Sequence, residues 1–275
     1  MIDWFEALIL GVVQGTTEYL PVSSSGHLVI FQHLFGLTEP ALLFDIILHV
    51  ATLMAVLWYY RKDVRDLVWQ SLAAVRGLIE GESWSEVQKT YPSIRLGWLI
   101  LLGTIPTAFI GFTFQDTFEG LFASLGTVGY MLWITGLILL IAHFCRQGNR
   151  TVGEMRPADA LLIGFVQGLA IAPGISRSGA TIAVALILGI EKETAARYSF
   201  LLSVPSIIGA LILRIGDAGD SISVGVASVG FLAALVTGYL CLALLVQLVK
   251  RGKLAWFAPY CFAAGLAALF LATRI

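Results

Sequence analysis

Two short polar stretches, EYLPVSSSGH at residues 18–27 and PGISRSGAT at 173–181, interrupt apolar segments that are each too short to cross a bilayer. A full helical span needs about 20 apolar residues, and runs of roughly 10–14 suit half-spans or re-entrant segments. Four segments are short: 4–19, 27–36, 158–172 and 180–190. They form two pairs, each joined by one of the polar stretches. Six others are long enough, or nearly so: 43–60, 95–113, 125–144, 197–213, 223–249 and 254–273. Irregular backbone at membrane depth persists only where protein or trapped water satisfies its polar groups. The expected fold is therefore all-α and integral to the membrane, with six full transmembrane helices and two re-entrant helical hairpins. It forms a single membrane domain over 1–275, with halves at 1–144 and 158–275.

Composition agrees. Charged residues make up 13% of the chain and hydrophobic ones 58%, with mean hydropathy +0.87. Soluble domains are about one quarter charged. A length of 275 residues could hold two soluble domains, but the continuous apolar stretches point to one bundle. Net charge is −1, so no basic surface invites nucleic acid. Cys145, Cys241 and Cys261 lie in or beside apolar runs without metal-ligand spacing, which predicts buried thiols and no disulfide framework. The opening MIDWFEALILGVVQG has two acids and no lysine or arginine, so it lacks the basic start of a cleaved leader and is expected to be structural.

Positive charge tests the arrangement. Loop 61–95 carries Arg61, Lys62, Arg65, Arg76, Lys89 and Arg95; loop 145–157 carries Arg146, Arg150 and Arg156; loop 250–253 carries Lys250, Arg251 and Lys253. Loop 114–124 and the first forty residues carry none. Six spans and two hairpins put every basic loop on one side, expected to be the cytoplasm. The first hairpin then enters from outside and the second from inside. The run 61–95 itself is expected to be a solvated loop.

A shift of 153 residues aligns Gly11, Val13, Gln14, Gly15, Ser23, Ser25 and Gly26 with Gly164, Val166, Gln167, Gly168, Ser176, Ser178 and Gly179. An odd number of spans separates the copies, so they run in opposite senses. Inverted repeats of broken helices are a recurrent way to build a polar site near the membrane midplane. The paired glycines suit close helix contact.

In the first break, Gln14 and Glu18 share one helix face, Pro21 stops that helix, and Ser23, Ser24 and Ser25 suit the cap of the next. Gly26 permits unusual backbone, and His27 opens the second half-helix, within expected reach of Glu18. A carboxylate facing lipid costs about 2.5–3.5 kcal/mol or more, so Glu18 needs a cavity, a cation or a basic partner. The second break offers Arg177, flanked by Ser176, Ser178 and Gly179, with Thr181 a turn later. Free amides at a helix start and a guanidinium fork both suit phosphate oxygens. The copies thus divide the chemistry: acid, hydroxyl and imidazole in one, positive charge and N–H donors in the other. A buried structural pair of Glu18 with Arg177 is the plainer alternative. His33, His49 and His143 are expected to be structural. Gln14 and Gln167 are expected to support the site by hydrogen-bonding across the hairpins.

GVVQGTTEYLPVSSSGH and PGISRSGAT resemble the two signature motifs of the undecaprenyl pyrophosphate phosphatase family, and FDIILHVATLMAVL resembles the segment that follows the first. The resemblance implies a bacterial inner-membrane enzyme that hydrolyses undecaprenyl pyrophosphate, with a site open to the periplasm and a requirement for Mg²⁺ or Ca²⁺. It places the family's acid on Glu18, also its metal ligand, its histidine on His27 and its hydroxyl on Ser24. The Ser–Arg pair falls on Ser176 and Arg177, and the threonine on Thr181. Ser23, Ser25, Gly26, Ser178 and Gly179 would complete substrate binding. Many members have glutamate where this chain has Gln14, so the cation is expected to draw on substrate phosphates. Ser24 or His27 is the nucleophile; the sequence leaves both open. It also leaves open a homo-oligomer, and a transporter or lipid flippase on the same fold. A structural role alone does not account for glutamate and arginine at half-span depth.

Overall fold

The computed structural model describes residues 2–36, 42–122, 124–145, 148–214 and 222–274, so Arg146 lies outside the described residues. They form thirteen α-helices: α1 (Trp4–Tyr19), α2 (Ser24–Leu34), α3 (Leu42–Tyr59), α4 (Arg61–Ile79), α5 (Trp84–Thr90), α6 (Ser93–Thr113), α7 (Gln115–Phe122), α8 (Leu125–Phe144), α9 (Pro157–Leu169), α10 (Arg177–Ile187), α11 (Lys192–Arg214), α12 (Val224–Lys250) and α13 (Ala258–Ala272). Short 3₁₀ turns precede α9 and α13. No strand occurs among the described residues. Among the described residues five helical segments are long and apolar enough to span a membrane: α6, α8, α11, α12 and Leu254–Ala272. A sixth is counted when α3 is joined to α4 across a 78° bend. The chain is thus a multi-pass membrane protein.

Local chemistry explains the short helices. α1 starts in a capping box between Asp3 and Glu6 and ends where Leu20, ahead of Pro21, turns extended. α2 and α10 are capped by Ser23 and Ser176, whose hydroxyls accept from the Gly26 and Gly179 N–H groups at 3.3 and 3.1 Å. Both half-helices therefore begin about one turn earlier than the apolar pattern suggests. Ser24 and Arg177 are their first residues, and His27 lies a turn inside α2 rather than opening it.

The run 61–95 is not merely a solvated loop: it forms α4 and α5. Val64, Leu67, Val68, Leu72, Val75, Leu78 and Ile79 recur at helical spacing, a pattern the many charges obscure. Leu67 packs on Gly97 of α6, while Val68, Trp69 and Leu72 face outward. Of the cysteines only Cys261 is buried; Cys145 and Cys241 are partly exposed.

Glycines set the closest approaches. A Cβ on Gly11 would stand 2.4 Å from the Gly230 carbonyl oxygen of α12, and one on Gly164 would stand 1.8 Å from that of Gly103 on α6. One end of the bundle is tied by charge. Asp63 pairs with Arg197 at 2.5 Å, Glu193 with Lys250 at 2.8 Å, and Arg95 donates to the Val152 and Met155 carbonyls. Arg150 joins the start of α9, at Asp159, to the end of α10, at the Leu188 carbonyl. The described basic residues flanking α4, α6, α9 and α12 thus gather at that end.

Candidate active site

The two breaks meet inside the bundle. Ser23 Oγ accepts from the Gly174 N–H at 3.0 Å, and Gly26 abuts Gly174. Gly179 abuts Pro21 in turn. Ser23 has φ +69°, the only positive φ outside glycine among the described residues. Such a conformation persists only where surrounding contacts enforce it, and here they hold the first break against the second. Thr135 of α8 braces the other side, accepting from the Ser176 N–H at 3.0 Å and donating to the Gly174 carbonyl at 2.9 Å. Cys261 of α13 donates to the Pro21 carbonyl at 3.4 Å.

Glu18 is the centre of the arrangement. Its Oε2 accepts from Ser24 Oγ at 2.6 Å and from Gln14 Nε2 at 3.0 Å, and its Oε1 accepts from Arg177 Nη2. Ser24 and Arg177 occupy matching positions at the starts of α2 and α10, and both converge on this one carboxylate. His49 of α3 stands 3.9 Å from Oε2, a neighbour that its place in an apolar run gave no reason to expect. Glu18 is buried, whereas the Arg177 side chain is 21% exposed and so accessible. Tyr19, Ser178, Ser199, Phe200 and Ser203 close round the pair and leave no room for a water molecule. A separate cavity of about 410 Å³ between α4, α6 and α11 is apolar and includes none of the candidate residues.

Other candidates fall elsewhere. His27 does not bond Glu18: its Nδ1 is 2.7 Å from the Ser23 carbonyl and its Nε2 2.8 Å from Tyr260 Oη. Ser25 lies 3.4 Å from Ser23 Oγ, and Ser178 lies 3.2 Å from Ser176 Oγ. Thr181 pairs with Ser199 and with the Arg177 carbonyl, bracing α10 against α11. The glutamines do not bond across the hairpins. Gln14 reaches Glu18 on its own helix, and Gln167 donates to Thr107 at 3.2 Å and Ser206 at 2.8 Å. An amide side chain bonds the nearest buried acceptor, and helix packing puts that acceptor elsewhere.

Among the described residues no three histidine, cysteine, aspartate or glutamate side chains converge as a metal set. Gln14 Oε1, however, is buried without a hydrogen-bond partner, beside Glu18. A carboxylate and an unpartnered amide oxygen are hard donors that fit a cation drawing its other ligands from phosphate and water.

A profile of the bacitracin resistance protein BacA family matches residues 7–267. The chain belongs to this family. Relatives named "Undecaprenyl-diphosphatase" cover nearly its whole length. The protein from Desulfatibacillum aliphaticivorans is 45% identical over 265 residues, 95% of this chain and 96% of its own. That from Desulforapulum autotrophicum is 44% identical over 270 residues, 96% of each chain. That from Methanosphaera stadtmanae is 41% identical over 273 residues, 98% of this chain and 99% of its own. The BacA family match spans both breaks and the residues that meet them, from Gln14 to Cys261.

Proposed function

We propose that this chain is an undecaprenyl-diphosphatase, removing the terminal phosphate of undecaprenyl pyrophosphate and so recycling the cell-wall lipid carrier. Its relatives carry that name and match it over nearly their full length, which favours hydrolysis over the transporter alternative. One observation carries the chemistry: Ser24 and Arg177 converge on Glu18 from the starts of two half-helices.

On this reading the incoming pyrophosphate takes Arg177 from Glu18, and the first-turn amides of α2 and α10 help to hold its oxygens. Ser23, Ser25, Gly26, Ser176, Ser178 and Gly179 contribute through the backbone they shape. Ser24 Oγ then attacks the terminal phosphorus, its proton passes to Glu18, and the bond to the bridging oxygen breaks to release the lipid monophosphate. Water, with His27 as base, frees inorganic phosphate from Ser24. Glu18 and Gln14 would hold Mg²⁺ or Ca²⁺, which neutralises phosphate charge when bound. Direct attack by His27 is the less direct route, because its Nε2 faces Tyr260 Oη while Ser24 already bonds the carboxylate that can take its proton.

The membrane arrangement follows: six spans, two re-entrant hairpins, and halves 1–144 and 158–275 related as an inverted repeat. The reciprocal contacts of Gly26 with Gly174 and Gly179 with Pro21, which exchange under the 153-residue shift, support it. So does Arg150, which joins the outer ends of α9 and α10. The basic end faces the cytoplasm of the inner membrane, and the site opens to the periplasm.

Phosphate release from a long-chain polyprenyl pyrophosphate by detergent-purified protein tests the activity. Ser24→Ala should lower kcat by at least about a thousandfold and Arg177→Ala by about a hundredfold or more. EDTA should abolish turnover, and added Mg²⁺ or Ca²⁺ restore it. A trapped phosphoenzyme carrying phosphate on His27 would transfer the nucleophile's role to that residue.

A further inference from the structure

Both ring nitrogens of buried His27 are engaged, at Nδ1 by the Ser23 carbonyl at 2.7 Å and at Nε2 by Tyr260 Oη at 2.8 Å. A carbonyl oxygen only accepts, so Nδ1 carries the proton. In the neutral ring the lone pair is then on Nε2, and the Tyr260 hydroxyl donates to it. The two rings lie nearly parallel, 11° apart, with centroids at 5.7 Å. The next residue, Cys261, ties the same helix to the Pro21 carbonyl, so α13 and the first break are held in register. The Ser23 carbonyl belongs to the residue at φ +69°, and its direction depends on that enforced backbone.

We propose that Tyr260 is a positioning residue for His27. Its hydroxyl and the Ser23 carbonyl select the Nδ1–H tautomer and fix the ring plane, so that Nε2 is the nitrogen offered for proton transfer. A hydroxyl both donates and accepts, so the contact survives the reaction. The hydroxyl hydrogen passes to Nε2 as Oη takes one from water, and Nε2–H then donates to Oη. The kinetic consequence rests on the hydrolase reading; the tautomer does not.

The test is nitrogen NMR of protein labelled with ¹⁵N-histidine, with the His27 signals assigned by their loss in His27→Gln. Wild type should show a protonated Nδ1 and a hydrogen-bonded, unprotonated Nε2. Tyr260→Phe keeps the aromatic ring and should shift Nε2 to the position of a free imine nitrogen. Its kcat should fall about fivefold to tenfold with KM within about twofold, the size of one lost hydrogen bond. An Nε2–H tautomer in wild type, or an unchanged Nε2 signal in Tyr260→Phe, overturns the proposal whatever happens to kcat. Wild type that fails to hydrolyse polyprenyl pyrophosphate defeats the hydrolase reading, while the nitrogen signals still report on Tyr260.

Discussion

Glu18 holds together residues far apart in the chain, and its burial explains why. A carboxylate removed from water is costly unless paired and hydrogen-bonded, and here Arg177, Ser24 and Gln14 meet that need at once. Removing one partner leaves the other charge unpaired in the interior. Glu18→Gln and Arg177→Gln should therefore each destabilise the fold, by up to about 3 kcal/mol, and the double variant should be more stable than either single. Thermal unfolding in detergent measures this; a double variant as weak as the sum of its singles would argue against the pair. Loss of activity should persist in the double variant, which separates chemistry from stability.

At the scale of helices, glycine governs how closely the half-spans dock. Gly164→Ala should destabilise the protein by roughly 1–3 kcal/mol, because its Cβ would stand 1.8 Å from the Gly103 carbonyl oxygen and the obstacle is backbone rather than a flexible side chain. Gly209, within α11, has open space around it, and Gly209→Ala should be neutral or stabilising by up to about 1 kcal/mol. The same unfolding assay compares the two. α4 turns 78° from α3 and presents Trp69 and Leu72 outward beside Arg65 and Arg76, the pattern of a helix lying in a membrane interface. In a variant retaining Trp69 alone, brominated lipid should quench its fluorescence. Indifference to bromine depth would put α4 in water.

For the whole molecule, ion pairs and the Arg95–carbonyl bonds gather the starts of α4, α6, α9 and α11 with the end of α12 at one end of the bundle. Single cysteines at Gly81, Gly153 and Gly252, in a background without native cysteines, should react with impermeant reagent from the same side of the membrane. One at Glu119 should react from the other. Reaction of Gly153 and Glu119 positions from one side would rule out the proposed topology. The basic residues, being costly to translocate, should mark the cytoplasmic face.

The two breaks and most of the helices were legible from spacing alone. Segment lengths, Pro21 and the serine caps are local signals, and local rules of hydrogen bonding and sterics suffice to place them. α4 is legible in its apolar spacing too, a signal that its many charges obscure. Which side chains share a site is another matter. Glu18 meets Arg177 across 159 residues and His27 meets Tyr260 across 233. His49, Thr135 and Tyr260 sit in apolar helices where a polar side chain carries no local sign of its partner. The bundle's packing brings them together, and each buried donor or acceptor then takes whichever partner that packing places within reach.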